Sequence, residues 1–352
     1  MAERWAIYLG LGLVVASTPA CKGGEKKPEP AVEQVVAPAT PQPAPAPPLS
    51  APLSIGYSDW PGFVALEVPA TKGWFKEAGL DVKLVWFEYV PSLEAFQAGK
   101  LDAVGITNGD QLVIASSKTP STMVLLTDYS NGNDMIVAKS GIDGMAALRG
   151  KKIGVEVGFV DHLLLLNALK MAGMKESDVS LVNVPTDQTP QALKSGSVDA
   201  IAAWQPSSGN ALAEVAGSKA IHTSAEAPGL IYDGIAANPD SFASRKQDWI
   251  AFTKVWYRTV DYINDPKNRA DVLQIMSARV GLTPEKYEPL LKGTFLLNAA
   301  GNVKQYAPGG DLYSVYFSDI TVNEFNVANK VYAAPIAIET CLDPSVVQAA
   351  AK

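Results

Sequence analysis

Two stretches decide the reading of this chain: Ala95-Phe96-Gln97-Ala98-Gly99-Lys100-Leu101-Asp102-Ala103 and, farther along, Ala192-Leu193-Lys194-Ser195-Gly196-Ser197-Val198-Asp199-Ala200. Each ends a helix at a glycine suited to a left-handed cap, then enters a strand through an apolar residue, an aspartate and an alanine. The echo extends outward. Ile55-Gly56, a loop, a helix ending at Gly79-Leu80 and Asp81-Val82-Lys83-Leu84-Val85 are answered in order. The answer is Ile153-Gly154, a loop, a helix ending at Gly173-Met174 and Asp178-Val179-Ser180-Leu181-Val182. Three correspondences in one order make each half a β-α-β-α-β unit of an α/β protein with mainly parallel sheets. Two such sheets face one another across a cleft, ligands bind beyond the carboxyl ends of the strands, and hinge closure is the expected motion.

Strand candidates are residues 53–57, 82–87, 103–107, 123–128, 135–138, 152–155, 181–184, 200–204 and 232–237, with helices over 161–171 and 188–194 among the connections. Over 247–263, Trp249, Phe252, Val255, Trp256, Thr259 and Ile263 fall on one stripe, which reads as packing against the first lobe rather than as a cofactor site. The aromatic-rich stretch 312–317 is expected to close one side of that lobe.

The 352 residues are 47% hydrophobic and 18% charged, with a net charge of -7. This suits a globular body with two cores and excludes the basic face of a nucleic-acid binder. The start stands apart. Arg4 followed by an apolar run from Trp5 to Ala16 is too short to span a bilayer and reads as a signal peptide over 1–20. Ser17, Thr18 and Ala20 lead into Cys21 as in a bacterial lipobox, although Thr18 stands where Leu is usual and Pro19 is atypical. Lipidation of Cys21 and an ordinary cleaved signal with an incidental cysteine both remain open. Residues 21–52 are Gly/Lys/Glu- and then Pro/Ala-rich, an extended spacer fit to tether a body to a membrane. Beyond Cys21 only Cys341 remains, so the body holds no internal disulfide.

The chain resembles the periplasmic binding proteins of nitrate/sulfonate/taurine-type importers, related to the thiamine-precursor-binding proteins. The resemblance runs over about 53–331. It is carried by Gly73-Trp74-Phe75-Lys76-Glu77-Ala78-Gly79-Leu80-Asp81-Val82, Ala98-Gly99-Lys100-Leu101-Asp102-Ala103, Leu148-Arg149-Gly150-Lys151-Lys152-Ile153-Gly154-Val155 and Ala203-Trp204-Gln205-Pro206. It implies a two-lobed periplasmic-binding-protein fold of type II, with lobe 1 from 53–133 plus 231–352, lobe 2 from 134–230, and crossovers near 129–134 and 229–233. It also implies a periplasmic or cell-surface monomer that captures a small solute and hands it to the transmembrane subunits of an ABC importer, without a cofactor.

By position, the resemblance assigns ligand contacts to Tyr57, Ser58, Asp59 and Trp60, to Thr107, Asn108 and Asp110, and to Asn131 and Asp134 on the crossover. From lobe 2 it assigns Glu156, Phe159, Asp161, His162, Trp204 and Gln205, and from the return crossover Asp233. Plainer roles stand beside these. Ser58 or Asp59 can cap the helix opened by Pro61-Gly62, Asp161 can cap the helix carrying Leu163–Leu166, His162 can be structural, and Trp60 and Trp204 can pack beneath their loops.

These loops hold no Lys or Arg, the donors a sulfonate or nitrate needs. They hold Asp59, Asp110, Asp134, Glu156, Asp161 and Asp233, costly together unless a cation joins them. The expected ligand is therefore a cationic or urea-like nitrogen compound, with a sulfonate, nitrate or thiamine precursor as the alternative. No Gly-x-Ser-x-Gly elbow, Walker loop or His-Glu-x-x-His motif is present, and two histidines, His162 and His222, leave little for a metal. Enzyme relatives that make a thiamine pyrimidine carry a cysteine-rich iron motif that this sequence lacks. A sensor acting through a membrane partner is the remaining reading of another class.

Overall fold

In the computed structural model, which describes residues 51–352, eleven strands form two mixed sheets. The expected signal peptide, Cys21 and nearly all of the expected spacer lie outside the described residues. The strands are β1 (Leu53–Tyr57), β2 (Val82–Trp86), β3 (Ala103–Thr107), β4 (Thr122–Ser130), β5 (Met135–Ala138), β6 (Lys152–Val155), β7 (Ser180–Asn183), β8 (Ala200–Ala203), β9 (Lys219–Thr223), β10 (Tyr232–Ala237) and β11 (Thr294–Leu296). One sheet has the order β11-β4-β10-β3-β1-β2, the other β7-β6-β8-β5-β9. Each keeps a parallel β-α-β-α-β core and adds an antiparallel strand beside its third: β10 against β3 and β5 against β8. Those two strands begin where the chain has just crossed between the sheets, after β9 and after β4 respectively. This is the two-lobed architecture expected from the repeat.

The repeated residues do the same work twice. Ile55 and Gly56 pair with Ala103 and Val104, and Ile153 and Gly154 pair with Ala200 and Ile201. The first glycine sits at a close approach, and the second has room for ordinary contact. A Cβ at Gly56 would lie 2.6 Å from Leu101, and one at Gly154 would lie 3.4 Å from Val198, the apolar residues that precede the repeated aspartates. Asp102 accepts hydrogen bonds from the Ser54 backbone N–H (2.8 Å) and the Ser54 hydroxyl (2.7 Å). Asp199 accepts one from the Lys152 N–H (2.9 Å), the matching residue of the other half. Gly99 (φ 69°) and Gly196 (φ 86°) are the left-handed caps read from the sequence.

The halves differ in their first connection. Lobe 2 has one helix, Val160–Met171, where lobe 1 has three short ones, Pro61–Val64, Glu67–Lys72 and Trp74–Glu77, with Gly73 at φ 74° separating the second from the third. β9 and β11 are edge strands that the sequence pattern did not reveal: neither carries a run of buried residues. The amphipathic stripe packs on lobe 1 as expected. Helix Lys246–Asn264 buries Trp249, Phe252 and Trp256 completely, with Phe75 stacked on Phe252 at 5.4 Å. Burial of each such side chain contributes on the order of 2–3 kcal/mol. The 312–317 stretch leads into helix Val315–Ala328, which holds the helix Asn108–Ser116 through Asn108 bonds to Ser318 (3.0 Å) and Asp319 (2.9 Å). Among the described residues no helix is long and apolar enough to cross a membrane.

Asp102→Ala leaves the part-buried Ser54 N–H and hydroxyl without their acceptor. The expected cost is about 1–3 kcal/mol, read as a Tm lowered by several degrees. Asp199→Ala, with a single exposed bond at the equivalent place, is expected to cost less in the same thermal unfolding measurement.

Candidate ligand-binding cleft

The ends of β1, β3 and β4 and the start of β10 meet at one edge of the first sheet; the ends of β6 and β8 and the start of β5 do so in the second. Side chains from both edges enclose a deep cavity of about 10 Å³, lined by Ser58, Trp60, Phe63, Tyr89, Thr107, Asp134, Val160, Trp204 and Asp233. An outer cavity of about 300 Å³ adjoins it, with Tyr89 and Trp204 common to both. Its acidic lining is Asp59, Glu88, Glu94, Glu156 and Asp187. A third cavity, about 10 Å³, takes Asp110, Phe159 and His162 into its wall.

Contacts between the lobes hold the cleft shut. The Trp204 indole N–H donates to Asp59 Oδ1 (3.0 Å), and its ring meets Tyr89 edge-on at 5.3 Å. Within lobe 1, Tyr89 donates its hydroxyl hydrogen to Asp110 Oδ2 (2.7 Å) and the Trp60 indole N–H donates to Asp128 Oδ1 (3.0 Å). Both tryptophans are buried with their indole N–H groups satisfied, Trp204 across the cleft and Trp60 within lobe 1, which leaves their rings in the cavity wall.

Charge is the unusual feature. Asp128 in β4 stands directly opposite Asp233 in β10, and both are buried. Such a like-charged pair is destabilising unless a proton or a cation joins it. Asp128 also lies against Gly62, where a Cβ would fall 1.7 Å from its Oδ2, and that oxygen has no hydrogen-bond partner. Asp134 accepts from the Ser130 hydroxyl. Asp161 is fully buried with neither carboxylate oxygen partnered. Burial is the main cause that raises every one of these groups. It pushes Asp59, Asp110 and Glu156 up to about 7, with neighbouring carboxylates adding to each. Asp128, Asp134, Asp161 and Asp233 are likewise raised by desolvation, and the charges of the other acids reinforce this for Asp128, Asp161 and Asp233. No Lys or Arg lines the three cavities described.

Of the residues singled out in the sequence, Ser58, Trp60, Thr107, Asp134, Trp204 and Asp233 converge on the deep cavity, with Asp59 and Glu156 on the outer one. Others are placed elsewhere. Tyr57 points into the flank of its sheet, donating to Glu67 and meeting Trp86 edge-on, because strand alternation sends it opposite to Ser58. Asn108 is committed to Ser318, Asp319 and the Tyr232 N–H. Asn131 joins the crossover to Gly293 through its backbone, and Gln205 packs its side chain against Gly209; neither lines these cavities. Asp233 sits within β10 rather than on a crossover loop. The capping alternatives fail: neither the helix at Pro61 nor the one at Val160 has a side-chain cap, so Ser58, Asp59 and Asp161 do not serve there. His162 accepts from the Gly158 N–H (3.2 Å) and stays near Glu176 at 3.6 Å, the structural role open to it. Sequence reasoning missed Phe63, Tyr89, Asp128, Glu88 and Asp187. Applying the strand-end rule to β2 and β7 as well would have reached Glu88, Tyr89 and Asp187.

The NMT1-like family model matches residues 46–277. The chain belongs to the NMT1-like family. A putative binding protein of Brucella abortus is 31% identical over 196 residues, 55% of this chain and 56% of that protein, so the match spans about half of the relative. A putative aliphatic sulfonates-binding protein of Bacillus subtilis is 31% identical over 150 residues, 40% of this chain and 45% of that one. In fold, this NMT1-like chain matches the alkanesulfonate-binding protein SsuA of Xanthomonas axonopodis pv. citri, bound to MOPS. The TM-score is 0.69 at 17% identity, over 84% of this chain and 99% of that one.

Among the described residues of this NMT1-like protein, nine carboxyl groups hold protons more tightly folded than unfolded: Asp59, Glu88, Asp110, Asp128, Asp134, Glu156, Asp161, Asp233 and Asp319. The folded state then binds more protons than the unfolded one from about pH 4 to about pH 7, and stability falls as pH rises through that window. His162 and His222, lowered by burial, act in the opposite sense but are outnumbered. The Tm of the ligand-free protein is expected to drop between about pH 5 and about pH 8, and Asp233→Asn to flatten the slope. A Tm that climbs over this range would contradict the assignment.

Proposed function

We propose that this chain is the extracytoplasmic solute-binding component of an ABC importer. In this reading, lobes formed by 53–133 plus 231–352 and by 134–230 close around a small solute, which is then delivered to the membrane permease. A lipid on Cys21 and the 21–52 spacer tether the protein, as a monomer, at the periplasmic or cell-surface face of the membrane. The observation that carries the reading is the convergence of strand-end side chains from both sheets on one enclosed site, with membership of the NMT1-like family in support. The role is binding and not catalysis.

For the ligand, the cleft favours a nitrogen compound rich in N–H donors: an amine, a guanidinium or a urea-like solute. Carboxylates accept N–H bonds, and the rings of Trp60, Tyr89 and Trp204 offer faces to a cation. A second reading has its own support, since the Bacillus subtilis relative is named for aliphatic sulfonates. A sulfonate would enter a cleft whose carboxyl groups stay protonated and act as donors beside the Ser58 hydroxyl. The two readings differ in the sign of the proton exchange. Displacing protons from raised carboxyl groups, a cation releases them; a sulfonate that needs the protonated form takes them up.

Thermal-shift screening against amines, guanidines, urea, sulfonates, nitrate and pyrimidines ranks ligands by the stabilisation each confers on the folded state. Titration calorimetry of the hits, in buffers of different ionisation enthalpy, counts the protons. The expected result is a nitrogen compound that releases protons at about pH 7, with affinity lowered at least about tenfold, or about 1.4 kcal/mol, by Asp134→Asn or Asp233→Asn. A shift with sulfonates alone, with proton uptake, would select the second reading.

A further inference from the structure

The cleft holds two separate acidic centres on one aromatic wall. At the deep centre, Asp134 and Asp233 line a space about the size of one water, and Asp128 stands opposite Asp233 on the neighbouring strand. Ser58 in its wall is 1% exposed, and its hydroxyl oxygen has no hydrogen-bond partner, so a buried polar atom at this centre is left for a ligand. At the outer centre, Asp59, Glu88, Glu94, Glu156 and Asp187 surround about 300 Å³, the lower end of the range of small-molecule sites. Tyr89 and Trp204 belong to both linings. Their polar atoms are already used, Trp204 on Asp59 and Tyr89 on Asp110, so what they present to the space between the centres is ring surface.

We propose that the cleft takes a linear dication, one cationic group seated at Asp134 and Asp233, the other among Asp59, Glu88, Glu156 and Asp187, with the alkyl chain between them against Tyr89 and Trp204. The inference rests on the cationic reading of the ligand given above and adds to it the number of charges and their separation. A primary ammonium matches a water-sized deep space, and methylenes suit aromatic faces. A monocation at the deep centre would leave the five outer carboxyl groups uncompensated around the rest of its own length. A second cation answers that charge.

The test is titration calorimetry of the full chain with a series of α,ω-diamines, each compared with the n-alkylamine of equal length. Diamines are expected to bind at least about tenfold more tightly than their monoamine counterparts, with one preferred length that reports the spacing of the centres. Glu156→Gln, on a half-buried loop position, is expected to narrow that advantage to a few-fold, and Ser58→Ala to weaken both series. Monoamines binding as tightly as diamines, or a diamine advantage without any length preference, would overturn the dication and leave the cationic reading standing. Binding of sulfonates with no amine binding would overturn both, as would no binding by a diamine of any length.

Discussion

Asp128 and Asp233 face each other across β4 and β10 with no basic side chain in the cavity walls beside them, and the closed arrangement depends on how that charge is neutralised. Water cannot do it, because both residues are buried. Protons can, and the burial that raises these carboxyl groups makes protonation the cheap solution in the absence of a cation. Asp161 reaches the same condition from the other lobe, buried without a partner for either oxygen. Closing the lobes therefore concentrates acids from two sheets in a small volume of low polarity. Either protons or a ligand must then balance them.

The backbone that brings these acids together is simpler than the site. Two copies of one β-α-β-α-β unit place a glycine at the same point of the first strand and use the same aspartate to tie that strand to the third. Each sheet then receives an antiparallel strand from chain that has just left the other. The crossovers thus run next to the site: Asp134 ends one, and Asp233 follows the other by two residues. A hinge placed there couples opening directly to the solvation of the acidic pair. The Trp204–Asp59 bond and the Trp204–Tyr89 contact are what opening must break on the far side of the cleft.

Much of the fold was legible because the repeat is written in residue types with strong local meaning. Gly99 and Gly196 adopt the left-handed conformation the pattern demands, and the stripe from Trp249 to Ile263 buries as its spacing requires. Elements carrying little burial, such as β9 and β11, left no periodic signal. For the site, the strand-end rule located the loops but not the direction of each side chain. Tyr57 and Ser58 are neighbours in the chain, yet one supports the sheet and the other lines the cavity.

The sequence by itself determined the two-halved α/β architecture, the position of the cleft at the strand ends and its acidic, aromatic character, because these follow from local patterns and composition. Only the tertiary structure decided that Asp128 stands against Asp233 beside the cavity, that Trp204 and Tyr89 form a shared wall, and that Asn108 and Tyr57 serve the scaffold. Asp128 sits inside a strand reading TMVLLTDYS, where nothing local marks it as facing another acid. That pairing exists because β10 returns from the opposite lobe to lie beside β4, a contact between residues more than a hundred positions apart.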